Sequence, residues 1–522
     1  MGIPSYFSYI VKNHRNIIQK IKKLYKKIDN LYLDSNSIIY DCLREIQDKY
    51  TNDNDFEELL MCEVCKKIDT YIKKINPINR VIIAFDGVAP IAKLEQQRSR
   101  RFKSMFEIEI NKKCSISNSS LKWNKTAITP GTKFMDKLNV YVNKWYYNDK
   151  KVIVSGSNKE GEGEHKLFHY IRSNRLTHSK QTTVIYGLDA DLIMLCLNHL
   201  HVSKNIYLYR ETPEFIKSID SSLDPNSDYI LNIPLLSQFI IKEMNSNRNV
   251  NHTYCMYDYI LLCFFLGNDF LPHFPALNIR TNGIQYLLNA YLNTIGKTNQ
   301  NLTNGDKIYW GNLKKLIDYL SKNEEEYIKK EYNLRNRMEK REFNSSTPDE
   351  RQKKYLNIPI KNRDVEKLID PYSYFWQKRY YKYLFKVDIT NEIKKQICIN
   401  YMEGLEWTLK YYSSGCVDWR WVYNYNYPPL LEDLIRYMPS WDTEMVKPQE
   451  PNPISSNIQL VYVLPVQYHY LINRNYTEKI KNLHCFKDKH YEFQWSFCKY
   501  FWESHVVLPE IDIEKLVEIS NN

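Results

Sequence analysis

The chain has 522 residues, 43% of them hydrophobic and 26% charged, with only 14 Gly and 20 Pro, which excludes collagen-like, disulfide-scaffold and wholly disordered chains. Its length predicts a soluble globular protein of roughly three to four domain-sized units. A formal net charge of +12 favours an anionic partner, nucleic acid or a membrane surface.

The membrane is then set aside. The longest strongly apolar stretch, Ile260 to Leu266, is far below the about 20 residues a spanning helix needs. The opening MGIPSYF has no basic segment before an apolar core, and Tyr6 stands where a myristoylation signal wants Ser or Thr. Eleven scattered Cys predict reduced thiols in a cytosolic or nuclear compartment, the cytoplasm being preferred. Cys62 and Cys65 lack a second Cys or His pair at zinc spacing, so they are read as a half-buried helix face.

Along the first 290 residues short apolar runs alternate with longer amphipathic stretches, the pattern of strand-helix-strand units around a mostly parallel sheet flanked by helices. The runs are Leu31–Leu33, Val81–Phe85, Val152–Val154, Thr183–Tyr186 and the more helix-like Ile260–Leu266. The basic run Lys20, Lys22, Lys23, Lys26 and Lys27 is read as generic surface. From Asn323 to Lys354 the chain is dense in charge, predicting a solvated helix and linker. From Asp370 to Asp512 it is rich in Tyr and Trp and broken by Pro, predicting a second, mainly helical and loop-rich domain. The expected divisions are 1–320, 321–365 and 366–522.

Carboxylates recur just past the strands: Asp34, Asp86, Glu162 and Glu164, Asp189 and Asp191, and Asp269. Singly each reads as a helix cap or turn residue. Together, at the carboxyl ends of parallel strands, they converge on one crevice and repel one another unless cations lie between them. Oxygen-only ligation points to two Mg²⁺ or Mn²⁺ ions and to metal-assisted phosphodiester hydrolysis.

Past Asp86, KLEQQRSRRFKS is free of Gly and Pro and predicts a helix. At about 100° per residue Lys93, Gln97, Arg100 and Arg101 share a face while Arg98 points elsewhere. Such a face suits a terminal phosphate; the plain alternative is a solvated basic surface.

In chain order MGIPSYF, NLYLDSNSIIYDC, FDGVAPIAKLEQQRSRRF, ITPGTKFM, GEGEHK, YGLDADLIML and LLCFFLGNDFLPHFP resemble the first conserved region of the XRN 5′ to 3′ exoribonucleases. WQKRYYKYLF, NYMEGLEWTLKYYSSGCVDWRWVYNYNYPP, LVYVLP and WESHVVLPEID are similar to the second. The resemblance implies a PIN/flap-nuclease-like core, metal ligation by the seven acids, a 5′-monophosphate pocket at Lys93, Gln97, Arg100 and Arg101, and a substrate of single-stranded, 5′-monophosphorylated RNA. It implies stacking on a base by Tyr40, where the family usually has His, and by Trp419 or Trp421. Ser37, Glu160 and Ile91 replace a usual Gly, Pro and Arg, which affects loops and RNA contacts but removes no acid. A monomeric, minimal form with the two conserved regions only is expected. The rivals are a structure-specific flap endonuclease acting on DNA and a non-catalytic RNA-binding scaffold.

Overall fold

The computed structural model describes residues 2–14, 16–21, 24, 27–114, 123–210, 223–224, 227–245, 251–480, 483 and 491–521. Lys22, Lys23 and Lys26 of the basic run lie outside the described residues. At its centre is a seven-stranded sheet of β1 (Ile18–Lys20), β2 (Asn30–Asp34), β3 (Arg80–Ala84), β4 (Val152–Ser155), β5 (Thr182–Tyr186), β6 (Asn205–Arg210) and β7 (Tyr229–Asn232). Their order is β1-β7-β6-β5-β2-β3-β4. From β6 to β4 all neighbours are parallel; β7 runs antiparallel to both β6 and β1.

Both faces of this sheet are covered, which is why its central strands read as unbroken apolar runs rather than as an alternation. Leu31, Leu33, Val81, Ile83, Val184 and Tyr186 pack into the core on one face; Tyr32, Ile82, Ala84 and Ile185 pack into the larger core on the other. The first four predicted runs fall on β2 to β5. The strands β1, β6 and β7 were not among them, and β1 and β7 have only three and four residues to carry a pattern.

The helices that position the site are α1 (Tyr6–Asn13), α2 (Asn36–Ile46), α3 (Asp53–Ile75), α4 (Ile91–Lys113), α5 (Lys133–Trp145), α6 (Gly163–Ser173), α7 (Arg175–His178) and α8 (Asp191–Asn198). The helix-like run at 260–266 lies in the buried helix His252–Phe264 and the turn after it. Later residues form mostly helices joined by loops, with one two-stranded ribbon, β8 (Glu492–Gln494) and β9 (His505–Val507). Among the described residues no helix is long and apolar enough to cross a membrane.

The charged segment 323–354 departs from its expected solvated state. Its helix Glu324–Glu339 buries Glu324, Ile328, Glu331 and Arg335. The Arg335 guanidinium donates to both carboxylate oxygens of Glu366 at 2.9 and 2.6 Å, and Arg363 donates to the same carboxylate at 2.6 Å. Charge density hid a buried ionic junction, because pairing lets such groups enter a core.

Candidate active site

The carboxyl ends of β2, β3 and β5 all open to the same edge of the sheet. Asp34 is the last residue of β2, Asp86 lies two residues past β3, and Asp189 and Asp191 lie between β5 and the start of α8. Glu162 is the N-cap residue of α6 and Glu164 lies in its first turn, while Asp269 follows the helix His252–Phe264. The Glu162 side chain makes no capping bond. It turns inward instead, so a cap does not account for this acid.

Local backbone bonds set the acids side by side. Gly87 N–H donates to Gly161 O at 2.9 Å and Gly161 N–H to Val88 O at 2.7 Å, sewing the loop after β3 to the loop before α6. The Asp86 carboxylate accepts from Asn36 Nδ2 at 2.6 Å and from Gly163 N–H at 2.7 Å. Lys166 Nζ donates to Phe85 O at 2.7 Å and Gly156 O at 2.9 Å, tying α6 to the ends of β3 and β4. A Cβ on Gly163 would lie 2.5 Å from Asp34 Oδ1, so only glycine fits where α6 meets β2. Gly2 is equally constrained: its φ is +54°, a Cβ there would lie 2.5 Å from Asp191 Oδ1, and its N–H donates to Asp269 Oδ1 at 3.1 Å.

The electrostatics are those of one shared cup. Burial, then repulsion from Asp86, Asp189 and Glu162, pushes the Asp34 carboxyl well above its ordinary value. Burial followed by Asp191 and Glu162 does the same to Glu164. Asp191 is pushed up to about 7 by burial and by Asp269. Burial also opposes ionisation of Asp269, but the Lys93 ammonium overcomes it and holds that carboxyl below the usual range. Asp34 Oδ1 and Glu164 Oε2 are buried acceptors with no donor. Mutually repelling carboxylates with unsatisfied oxygens fit a hard divalent cation, for which they are the natural ligands. Glu162, Glu164 and His165 also place ligating atoms within 4.8 Å of one another.

The second half of the chain closes the cup. The helix Asn391–Ser413 brings Tyr411, whose hydroxyl donates to Glu162 Oε1 at 2.9 Å, and Tyr412, whose hydroxyl donates to Asp191 Oδ1 at 2.5 Å. Tyr411 also stacks on His165 with ring centroids 3.7 Å apart. His165 is buried, and this burial, with the Lys93 charge, keeps its ring neutral. Neither tyrosine was singled out from sequence: both stand in the NYMEGLEWTLKYYSSGCVDWRWVYNYNYPP segment, but that segment was read for its tryptophans, and they lie more than two hundred residues from the acids they serve.

The basic face lies on α4 as the spacing predicts, but its four members occupy different surroundings. Lys93 Nζ bridges Glu162 Oε2 at 2.5 Å and Asp269 Oδ2 at 2.9 Å, so it belongs to the cup as much as to the grip. Gln97 is buried with Oε1 unpartnered. Arg101, beside Tyr40, has its guanidinium pushed down to about 10 by burial and keeps an unpartnered Nε. Arg100 is exposed. Arg98 does point elsewhere, donating to Pro509 O at 2.6 Å beneath the Tyr462 ring. The two tryptophans part company: Trp421 is 9% exposed and stacked on Trp407 at 5.1 Å, whereas Trp419 is half-buried, its carbonyl accepting from Ile91 N–H at the start of α4.

Comparison with known proteins agrees with this geometry. Residues 1–212 match the family described as XRN 5′-3′ exonuclease N-terminus, and residues 249–367 and 363–522 match the Xrn1 helical domain. Over 99% of its length the chain is 25% identical to 5′-3′ exoribonuclease 2 of Arabidopsis thaliana, 27% to 5′-3′ exoribonuclease 1 of Schizosaccharomyces pombe and 28% to 5′-3′ exoribonuclease 1 of Saccharomyces cerevisiae. It spans 67%, 48% and 43% of those relatives, respectively. With an acid-ended parallel sheet, a basic helix beside it and matches running almost from end to end, the chain belongs to the XRN family of 5′–3′ exonucleases.

Proposed function

We propose that the chain hydrolyses single-stranded RNA bearing a 5′-monophosphate, one phosphodiester at a time from the 5′ end, releasing nucleoside 5′-monophosphates. The observation that carries this reading is the contact between the two sites: α4 presents its cationic face and, through Lys93, reaches into the acid cup. Its relatives are named 5′-3′ exoribonucleases. Gln97, Arg100 and Arg101 grip the terminal phosphate, with the guanidiniums offering bidentate bonds. Tyr40, close to Arg101, and Trp419, beside the start of α4, hold the first bases between rings; Trp421 serves packing. The seven carboxylates, Asp34, Asp86, Glu162, Glu164, Asp189, Asp191 and Asp269, hold two Mg²⁺ or Mn²⁺ ions, which when bound supply the Lewis acidity that phosphodiester hydrolysis needs. Lys93 and the hydroxyls of Tyr411 and Tyr412 keep the flanking carboxylates oriented. The protein is taken to act as a monomer in the cytoplasm.

One assay tests this reading: digestion of RNA with 5′-monophosphate, 5′-hydroxyl or capped ends, beside a 5′ DNA flap, with and without Mg²⁺. Mononucleotide release from the monophosphorylated RNA alone is expected. Preference for the flap overturns the substrate class. Asp191→Asn is expected to lower release at least about 100-fold with RNA binding retained, and Arg101→Ala to erase most of the preference for phosphate over hydroxyl ends.

A further inference from the structure

The face of α4 that turns away from Gln97 and Arg101 borders a cavity of about 950 Å³. Its lining includes Gly2 and Asp269 of the cup as well as the 502–511 segment, where Val507 is 39% exposed. At about 100° per residue from Lys93, Gln97 and Arg101 lie near 40° and 80°, Arg100 near 340°, and Gln96, Lys103 and Ser99 near 300°, 280° and 240°. Arg100 therefore stands on the border between the phosphate grip and the cavity.

The cavity wall is polar and incompletely satisfied. Both side-chain amide atoms of Gln96, Nδ2 of Asn268 and Oγ of Ser504 are buried without a partner. Its other cations are committed: Arg98 to Pro509 O, Lys103 to Trp502 O and Ser504 O, Arg280 to Glu503 and Arg420 to Glu514. Arg100 takes part in none of the ion pairs among the described residues. Its size falls within the about 300–1,000 Å³ typical of small-molecule sites. The cavity has room for a free nucleotide.

Successive cleavage of one bound strand poses a problem of traffic. The substrate occupies the approach past Tyr40 and Trp419, so each product must leave by another way if the strand is to stay bound. We propose that this cavity receives the nucleoside 5′-monophosphate: its phosphate passes across Arg100 from the grip, its sugar and base meet Gln96 and Asn268, and it leaves past Val507. This rests on the exoribonuclease reading and adds a product path to it.

The test fills the cavity at two points outside the catalytic and gripping residues, with Val507→Trp at the mouth and Ser99→Phe in the wall. Rapid-quench digestion of a 5′-monophosphorylated RNA then resolves the first mononucleotide from later ones. The first is expected at the wild-type rate and the later ones about tenfold more slowly. Unchanged later steps in folded variants overturn the path. Wild-type protein that releases no mononucleotide overturns the exoribonuclease reading instead. Photolabelling of the wild-type chain with 8-azidoadenosine 5′-monophosphate needs no variant: cross-links at Gln96, at Asn268 or within residues 502–511 are expected, and cross-links confined to Tyr40 and Trp419 overturn the proposal.

Discussion

Tyr411 and Tyr412 are adjacent in sequence, yet their hydroxyls reach different acids, Glu162 and Asp191, on two separate elements of the first half. Each holds one oxygen of a carboxylate in the cup, the other oxygen of Glu162 being held by Lys93. On the proposed two-ion reading the tyrosines stand behind metal-binding carboxylates, and partners of that kind typically account for 10–100-fold in metal affinity or activity. Tyr411→Phe removes the hydroxyl while keeping the ring stacked on His165, so a fall of about tenfold in Mg²⁺ affinity is expected, with folding intact. A magnesium titration of mononucleotide release checks it, and an unchanged half-saturation point removes Tyr411 from the site. The acids themselves were readable in the sequence because each follows an apolar run or sits in a short motif. Their hydroxyl donors were not, since nothing local marks a tyrosine that acts across two hundred residues.

The helix Asn391–Ser413 delivers those tyrosines only because it can lie close to its neighbours. At Gly404 an added Cβ would meet Leu271 Cδ2 at 2.5 Å and the Trp421 ring at 2.9 Å. Trp421 in turn is stacked on Trp407, so the ring cannot retreat without disturbing that pair. Gly404→Ala is expected to destabilise the fold by about 1–3 kcal/mol, as overpacking does, despite the better helix propensity of alanine. Chemical denaturation measures this; a neutral or stabilising change means the helix has more room than the contact implies. The α4 helix was foreseen from KLEQQRSRRFKS, as was the divergence of Arg98 from its basic face. Helical periodicity resolves which residues share a face, but not what stands opposite. That is why Lys93 was grouped with the phosphate grip alone, and why the two tryptophans of CVDWRWVY could be separated only by seeing which one Trp407 covers.

Buried ionisable groups also tie the 324–366 segment to the residues that follow it. The Glu324 carboxylate accepts Leu431 N–H on both oxygens, at 2.9 and 3.0 Å, and burial pushes its carboxyl up to about 8. Between the ordinary glutamate value and about 8 the folded chain retains a proton that the unfolded chain has released. Stability from this group therefore falls as pH rises across that window and is level above it. Glu324→Gln does not titrate, so its melting temperature relative to wild type is expected to improve steadily from about pH 4.5 to 8. Parallel thermal melts across that range decide the matter, and a constant difference contradicts the assignment. The Arg335–Glu366–Arg363 junction reaches further, because Arg335 also donates to Cys498 O and Phe497 N–H donates to Glu366. The strands β2 to β5 were apparent from sequence because strands covered on both faces leave unbroken apolar runs. These junctions were not, since a charged stretch looks the same in sequence whether water or an opposite charge receives it.

The position of Tyr411 and Tyr412 has a consequence for the order in which the protein comes into being. Every acid of the cup has been synthesised once the ribosome has passed Asp269, but the two hydroxyls that orient Glu162 and Asp191 come from a helix made more than a hundred residues later. A growing chain thus carries its carboxylates long before it can aim them, and its cup is complete only after that later helix has been made.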